Sequence, residues 1–548
     1  MPLKKTLTTK YIFVSGGVLS SLGKGVTTAS LGLLLQAKGY SVTIVKCENY
    51  LNVDAGLINP IEHGDTFLCE DGTEADMDLG NYERFLDKDL GRENFITLGQ
   101  IYQSVINRER SFGYQGEDVE AIPHVTDEII KRIKEAAVHD QAEICLIELG
   151  GTVGEYQNVL YYEASRIMKL THEDTVVHVH VSYLPTPGHI GEPKTKPTQL
   201  SVKQLNAMSI QPDFLVARTE QALDSRRLAR LALFCNLHPD DVILNKDVKS
   251  IYQVPLAFHE QGFDRKILAK LGLKDHPSHL SGWEELVKKT LKKKTQSLKI
   301  AIVGKYFATG DYNLTDSYHA LIESLTHSAA NLEVGIELLY INSLVIEKQG
   351  TGVLQGIDGL VVPIGWGARG TAGKIEAIRY ARENKIPYLG LCFGMQLAAV
   401  EFARNVLGLK DANSLEIDPK TKNAVIHDIP FNKKYQRIKG DGTSMRLGAF
   451  DCVLKRGSLA HQIYGRSVIS ERHRHRYEFN NTFRAAFEKK GFIFSGTSPD
   501  DFFVEMIELP HSTHPFFLAT QAHPEYKSRP LAPHPIFLAF LKAAIAHS

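Results

Sequence analysis

Short apolar runs rich in Val, Ile and Leu recur along the chain, and several close on a glycine or a charged residue. The first is Tyr11-Ile-Phe-Val14. It is followed by Tyr40-Ser-Val-Thr-Ile-Val45, Ala142-Glu-Ile-Cys-Leu-Ile-Glu148, Thr175-Val-Val-His-Val-His-Val181, Phe214-Leu-Val-Ala-Arg218 and Val242-Ile-Leu-Asn-Lys246. Runs of this length, apolar on successive positions, suit strands buried on both faces, as in parallel sheets covered by helices. A second series starts at Lys299-Ile-Ala-Ile-Val-Gly304 and continues through Gly359-Leu-Val-Val-Pro363, Ile386-Pro-Tyr-Leu-Gly390 and Phe517-Leu-Ala-Thr520. Between the two series the chain turns polar and carries the run Lys292-Lys293-Lys294. The pattern predicts an α/β protein with two doubly wound parallel-sheet domains, at 1–273 and 299–548, joined by a helix and linker at 274–298.

Composition narrows the class. A chain of 548 residues is too long for one ordinary core. Lys plus Arg and Asp plus Glu are equal at 63 each, so no net field favours nucleic acid or a membrane surface. No apolar run reaches the roughly 18 residues of a membrane span. The opening Met-Pro-Leu-Lys-Lys-Thr has no apolar leader core, and the six cysteines form no C-x-x-C pair. Both features lead to the expectation of a cytoplasmic protein with reduced thiols.

The first apolar run leads into Ser15-Gly-Gly-Val-Leu-Ser20-Ser-Leu-Gly-Lys24-Gly25 and then a helical pattern. Strand, Gly-rich loop and helix start together make a phosphate cradle, with backbone N–H groups and Lys24 meeting the anion. The standard pattern G-x-x-x-x-G-K-[ST] would need Gly at Val18 and a hydroxyl at Gly25. A hydroxyl from Thr27, Thr28 or Ser21, or a carboxylate, has to stand in. Lys46 closes the second run, where open α/β sheets bind ligands. The acidic stretch 70–78 reads either as a solvated face or as a source of a Mg²⁺ carboxylate. Glu148 ends its strand before a Gly-rich turn, as a Walker B acid does. Lys194-Thr-Lys-Pro-Thr-Gln199 reads as a surface loop or as a seat for a second anionic ligand.

In the second half, Gly390-Leu-Cys392-Phe-Gly394 runs from a strand into a helix. This is the cysteine form of a nucleophile elbow. His523-Pro-Glu525 follows the last strand, so His523 can take the thiol proton and Glu525 can orient the imidazole. These motifs alone lead to an ATP-using, glutamine-dependent amidoligase.

The residues 390–396 with His523-Pro-Glu525 resemble the class I glutamine amidotransferases, and the Ser15–Gly25 loop is similar to that of dethiobiotin-synthetase-like amidoligases. Together with Lys194–Gln199, Glu148-Leu-Gly-Gly-Thr-Val-Gly154 and Glu471-Arg-His-Arg-His-Arg-Tyr-Glu478, the whole chain resembles the CTP synthase family. The resemblance implies that ATP, with Mg²⁺, phosphorylates O4 of UTP and that ammonia displaces the phosphate to give CTP. The ammonia would come from L-glutamine at Cys392, His523 and Glu525 and travel inside the protein. GTP would activate, CTP would inhibit, and the chain would form homotetramers and, as an additional assembly, filaments. By motif, Ser21, Leu22, Gly23, Lys24, Gly25 and Val26, with Lys46, Asp78, Lys246, Asp247 and Val248, would serve ATP. Asp78 and Glu148 would hold Mg²⁺. Ser20, Lys194, Thr195, Lys196, Pro197, Thr198, Gln199 and Arg230 would contact UTP. Gly365, Phe393, Gly394, Met395, Gln396, Glu416 and Arg476 would hold glutamine. Ser20, Glu155, Tyr156 and Gln157 would form the CTP feedback site.

The sequence departs from the family pattern at three places. Ile364 stands where a glycine helps form the oxyanion hole, so a Cβ would strain any positive φ there. Arg230 replaces a common lysine, and Gln157 replaces an acid. Competing readings are a cobyrinate-type amidating synthetase and a partition-type P-loop switch carrying an inert amidotransferase domain. The run 472–476 also reads as a solvated basic cluster or a metal site.

Overall fold

The computed structural model describes residues 9–171, 175–188, 191–309, 312, 313, 315–429, 437, 438 and 444–548. The N-terminal residues read above for a leader lie outside these. The chain forms two compact units. One comprises residues 1–57 and 78–291; the other comprises 58–77 and 292–548. No helix among the described residues is long and apolar enough to cross a membrane.

The first unit is built on a seven-stranded sheet. Its strands are β1 (Lys10–Gly16), β2 (Val42–Glu48), β3 (Phe95–Thr97), β4 (Ile144–Leu149), β5 (Val176–Leu184), β6 (Phe214–Thr219) and β7 (Val242–Lys246). They lie in the order β3-β2-β4-β1-β5-β6-β7, and every pairing is parallel. The inner strands β2 and β4 are buried at every position, which is why they read as continuous apolar runs. Helices α1 (Lys24–Ala37), α2 (Asp78–Leu86) and α3 (Lys196–Ala207) start beside the C-terminal ends of these strands. The strand order reverses around β1, so a ligand crevice is expected at those ends.

The second unit combines a parallel half with an antiparallel wing. Strands β8 (Ser297–Gly304), β9 (Gly335–Asn342), β10 (Gly359–Val362) and β11 (Tyr388–Leu391) pair in parallel in the order β9-β8-β10-β11. The wing contains β12 (Ser444–Leu454), β13 (Val468–His475), β14 (Ile493–Thr497) and β15 (Val504–Glu508). The last strand, β16 (Phe517–Thr520), joins β11 in parallel and β15 antiparallel, so it links the two halves. The sheet continues through β14 to β12, and β13 pairs with β12. Two apolar layers cover its faces, one around Ile378, Met395 and Phe402, the other around Leu325, Leu389 and Phe540. Helices α4 (His319–Asn331), α5 (Thr371–Asn384) and α6 (Phe393–Asn405) contribute to these layers.

Candidate functional site

In the first unit the chain leaves β1 at Gly16 and enters α1 at Lys24. Within that loop Val18, Ser21 and Gly23 take positive φ values of 81°, 56° and 87°. The Lys24 stem folds back and its Nζ donates to Gly151 O at 2.7 Å. Burial lowers the Lys24 pKa, while Glu148 opposes the shift.

Lys46 is the hub beside this loop. Its Nζ donates to Asp78 Oδ2 at 2.6 Å and to Glu148 Oε1 at 2.8 Å, and Glu48 Oε1 lies 3.2 Å away. Burial works against the ammonium, but Asp78, Glu148 and Glu48 together raise its pKa. Asp78 shows the reverse balance: burial favours its acid form, yet Lys46 lowers its pKa. Tyr82 Oη donates to the other oxygen of Glu148. Asp78 also bears on the missing hydroxyl of the loop motif. A Cβ on Gly25 would stand 2.4 Å from Asp78 Oδ1, so a Ser or Thr there would have to push this carboxylate aside. Among the described residues no cluster of three or more His, Cys, Asp or Glu is arranged to hold a metal ion. Mg²⁺ beside phosphates needs only one or two carboxylates, and Asp78 and Glu148, already bridged by one cation, fit that need.

The remaining residues read as ATP contacts gather at neighbouring strand ends. Lys246 closes β7, with Asp247 and Val248 just beyond. Arg218 in β6, to which the sequence reading gave no role, pairs with Asp247 at 3.0 Å and reaches Ser21 O at 3.4 Å. Ser15, His180 and Ser201 form a buried relay. Ser15 Oγ lies 2.8 Å from His180 Nδ1, and His180 Nε2 lies 2.7 Å from Ser201 Oγ. Burial pushes His180 down to about 3, so the ring is neutral and ties β1, β5 and α3 together through hydrogen bonds.

The loop 194–199 forms the start of α3. Buried Thr198 donates to Tyr183 O at 2.7 Å, and Gln199 Nε2 donates to Thr195 Oγ1 at 3.1 Å. Lys194 is paired with Glu192. Lys196 and Arg230 both lie over the Phe234 ring, at 5.7 and 5.8 Å from its centre, so the structure brings these two cations together. Glu155 is engaged locally: it accepts from Thr152 N at 2.8 Å and from Asn49 Nδ2 at 3.2 Å. Tyr156, next to it, is 96% exposed.

In the second unit Cys392 sits between β11 and α6 with φ 52° and ψ −101°. Only a tightly enforced turn holds a non-glycine residue there. Gly394 is enforced by packing, since a Cβ would lie 2.0 Å from Val362 O. The backbone N–H of Cys392 donates to Thr520 O at 2.8 Å, and that of His523 donates to Arg472 O at 2.8 Å. Strands β16 and β13 therefore set the distance between Cys392 and His523. His523 Nδ1 lies 2.7 Å from Glu525 Oε1, which leaves Nε2 for the thiol. Burial opposes protonation of His523, but Glu525 and then Cys392 raise it to about 10.

The turn after β10 lies against this elbow. Ile364 does not take a positive φ, so its backbone avoids the conformation that its Cβ would penalise. Its carbonyl points inward instead, accepting from Lys374 Nζ at 3.3 Å and Tyr318 Oη at 3.5 Å. Lys374 is fully buried and also donates to Pro363 O at 2.8 Å. Of the residues read as glutamine contacts, Glu416 accepts from Gly367 N at 2.7 Å, and Arg476 lies over the Trp366 ring at 5.7 Å. Burial raises the Glu416 pKa.

The acidic stretch 70–78 divides. Asp78 turns to Lys46, whereas Glu70 and Glu74 pair with the basic run of β13. Arg472 Nε lies 2.8 Å from Glu70 Oε2, and Arg474 Nε lies 2.7 Å from Glu74 Oε1. The run 472–475 is thus a buried strand segment whose Arg472 and Arg474 are paired, rather than a solvated cluster, and Arg476 follows it as a half-buried bend residue. The segment 58–77, a strap that carries Glu70 and Glu74, also reaches His523: Tyr526 Oη donates to Thr66 O at 2.9 Å while its ring stacks on His523 at 5.2 Å. Asp65 lies in this strap, and burial, then Glu525, pushes its carboxyl up to about 7. No local signal in the sequence announces these contacts, which join positions some 400 residues apart.

Residues 10–273 match the family described as CTP synthase N-terminus, and residues 313–543 match glutamine amidotransferase class-I. A CTP synthase of Pyrococcus furiosus is 47% identical over 98% of this chain and 98% of its own. One of Bdellovibrio bacteriovorus is 46% identical over 98% of this chain and 99% of its own. Among solved structures, the glutaminase domain of Trypanosoma brucei CTPS with bound acivicin is 35% identical, with a TM-score of 0.41, over 46% of this chain and 95% of that one. With identity of this extent over nearly its whole length, and with an elbow cysteine in one unit and a Gly-rich loop in the other, the chain belongs to the CTP synthase family.

Proposed function

We propose that the chain converts UTP to CTP by ATP-dependent amination at C4, with nitrogen taken from glutamine. Residues 21–26, Lys24 among them, receive the ATP triphosphate, with Lys46, Lys246, Asp247 and Val248 beside it. Ser20, the residues 194–199 and Arg230 hold UTP. Uracil O4 attacks the terminal phosphorus, the new O–P bond forms, and ADP leaves. Ammonia then bonds to C4, the oxygen departs with the phosphate, and the nitrogen releases one proton to solvent to become the amino group. Phosphoryl transfer asks the protein mainly for positioning and charge neutralisation, which two lysines at the loop supply. Mg²⁺ held by Asp78 and Glu148 adds charge neutralisation when bound.

Glutamine lies against Gly365, Phe393, Gly394, Met395, Gln396, Glu416 and Arg476. The proton of the Cys392 thiol rests on His523 Nε2, as the raised histidine pKa favours, and the sulfur bonds to the amide carbon. His523 returns that proton to the departing nitrogen, leaving a thioester and ammonia. His523 next takes a proton from water, whose oxygen bonds to the thioester carbon. Cleavage of the C–S bond frees glutamate, and Cys392 recovers its proton. Glu525 holds the ring in the tautomer these transfers need. GTP activates this half, and CTP binds at Ser20, Glu155, Tyr156 and Gln157 as feedback inhibitor. The working assembly is a cytoplasmic homotetramer.

The observation that carries the reading is that one chain holds both an elbow cysteine with a His–Glu pair and a lysine–carboxylate cluster at a Gly-rich loop. The test is CTP formation from UTP and ATP, first with glutamine and then with ammonium chloride. Both nitrogen sources should yield CTP, and failure with both would overturn the proposal.

A further inference from the structure

Gln521 lies at the end of β16, two residues before His523, and is buried. Its Nε2 is 3.6 Å from Cys392 Sγ, within hydrogen-bond reach of sulfur. Its Oε1 accepts from Gln396 Nε2 at 3.2 Å. Amide nitrogen and oxygen have to be told apart by their partners, and here the partners decide. Gln396 Nε2 donates to Tyr477 O at 2.9 Å, and a backbone carbonyl can only accept. The Gln396 nitrogen, fixed in this way, turns its second N–H to Gln521. Gln521 must then present oxygen to Gln396 and an N–H to sulfur. Tyr477 O is itself held, with His475 Nδ1 at 2.8 Å. On its other side the thiol donates to Arg474 O at 3.6 Å.

From this chain of amides we infer that Gln521 is a catalytic residue of the glutaminase half: its N–H holds the Cys392 sulfur and stabilises it once the thiol proton has gone to His523. Arg474 O serves only the protonated thiol, because a carbonyl repels a thiolate. The Gln521 N–H serves both forms and binds the charged one more strongly. Because Gln396 sets the orientation of Gln521, a residue read as a glutamine contact also aims the donor at the nucleophile. This inference rests on the reading of Cys392 as the nucleophile.

The test compares the full-length protein with Gln521→Glu, which keeps shape and an acceptor for Gln396 but turns a carboxylate toward sulfur. Iodoacetamide labelling of the Cys392 peptide, followed by mass spectrometry, reads the thiol directly. Labelling at neutral pH should slow by about ten-fold, and the glutaminase kcat should fall by about ten- to a hundred-fold. The KM for glutamine should stay within about two-fold, since the lost contact is to sulfur rather than to substrate. If Gln521→Glu does not fold, Gln521→Met, which removes the donor at similar volume, takes the same measurements. Unchanged labelling with kcat within about two-fold would overturn the inference, as would a rise in KM alone. Absence of glutaminase activity in the parent protein would instead remove the proposed function, and the labelling comparison would still judge Gln521.

Discussion

Asp78 and Gly25 meet so closely that a single added carbon would collide: a Cβ on Gly25 would lie 2.4 Å from Asp78 Oδ1. A Ser or Thr at this position, as the usual loop motif has, would therefore displace the Asp78 carboxylate. The carboxylate that Lys46 holds at 2.6 Å occupies the space a Ser or Thr would need.

Gly25→Ser restores the common motif and should nevertheless damage the enzyme. The new Cβ drives Asp78 away from Lys46 and disturbs the charge cluster at the loop. CTP synthesis should fall on the order of a hundred-fold with either glutamine or ammonia, while glutamine hydrolysis persists. Synthesis at the parent rate would show that Asp78 has no part in the site.

How much of this was legible in sequence depends on how local each feature is. The elbow at Cys392 and the loop ending at Lys24 are continuous stretches in which strand, glycine and helix follow one another, so their shape could be read directly. Asp78 and Lys46 were readable as strand-end and loop residues with suitable charge. Ser15, His180 and Ser201 were not, because each looks like an ordinary core or helix residue until the sheet brings β1, β5 and α3 together. Gln521 was visible beside His523, but its orientation depends on Gln396 and Tyr477 from other elements. The strap 58–77 was hidden for the same reason: the partners of Glu70 and Glu74 lie on β13. At Ile364 the backbone avoids the positive φ that its Cβ would penalise, but that Lys374 and Tyr318 take its carbonyl could not be read from the local sequence.

Lys374 is the side chain on which the turn after β10 rests, since it donates to both Pro363 O and Ile364 O. Lys374→Met should leave these carbonyls without that donor and let the turn shift. Glutaminase kcat should drop by about ten-fold or more, because small misplacements near the reacting atoms are costly. Ammonia-driven synthesis should be little changed. Steady-state glutamate release beside ammonia-driven CTP formation measures both, and equal loss of the two activities would contradict the assignment.

Glu525 sets the acid–base range of the base. The paired His523 titrates near 10 against an ordinary value of about 6.5. A raised histidine pKa gives stability that is fully present below about 6.5 and is lost as pH rises through about 10. In the proposed mechanism this imidazolium protonates the departing ammonia, and it disappears over the same rise. Glu525→Gln keeps a hydrogen-bond acceptor but removes the charge, so His523 should lose its proton at lower pH. The alkaline limb of the glutaminase kcat profile should therefore move down by at least about one pH unit. An unmoved limb would mean that another group controls it.

The two-site account is tested most directly by Cys392→Ala. CTP formation should be measured with glutamine and, separately, with ammonium chloride, at saturating ATP and UTP. The account predicts that glutamine-dependent synthesis disappears while ammonia-dependent synthesis stays within about two-fold of the parent, because the loop at Lys24 lies in the other compact unit and needs only free ammonia. Glutamine-dependent synthesis surviving in this variant, or both activities falling together in a folded protein, would contradict it.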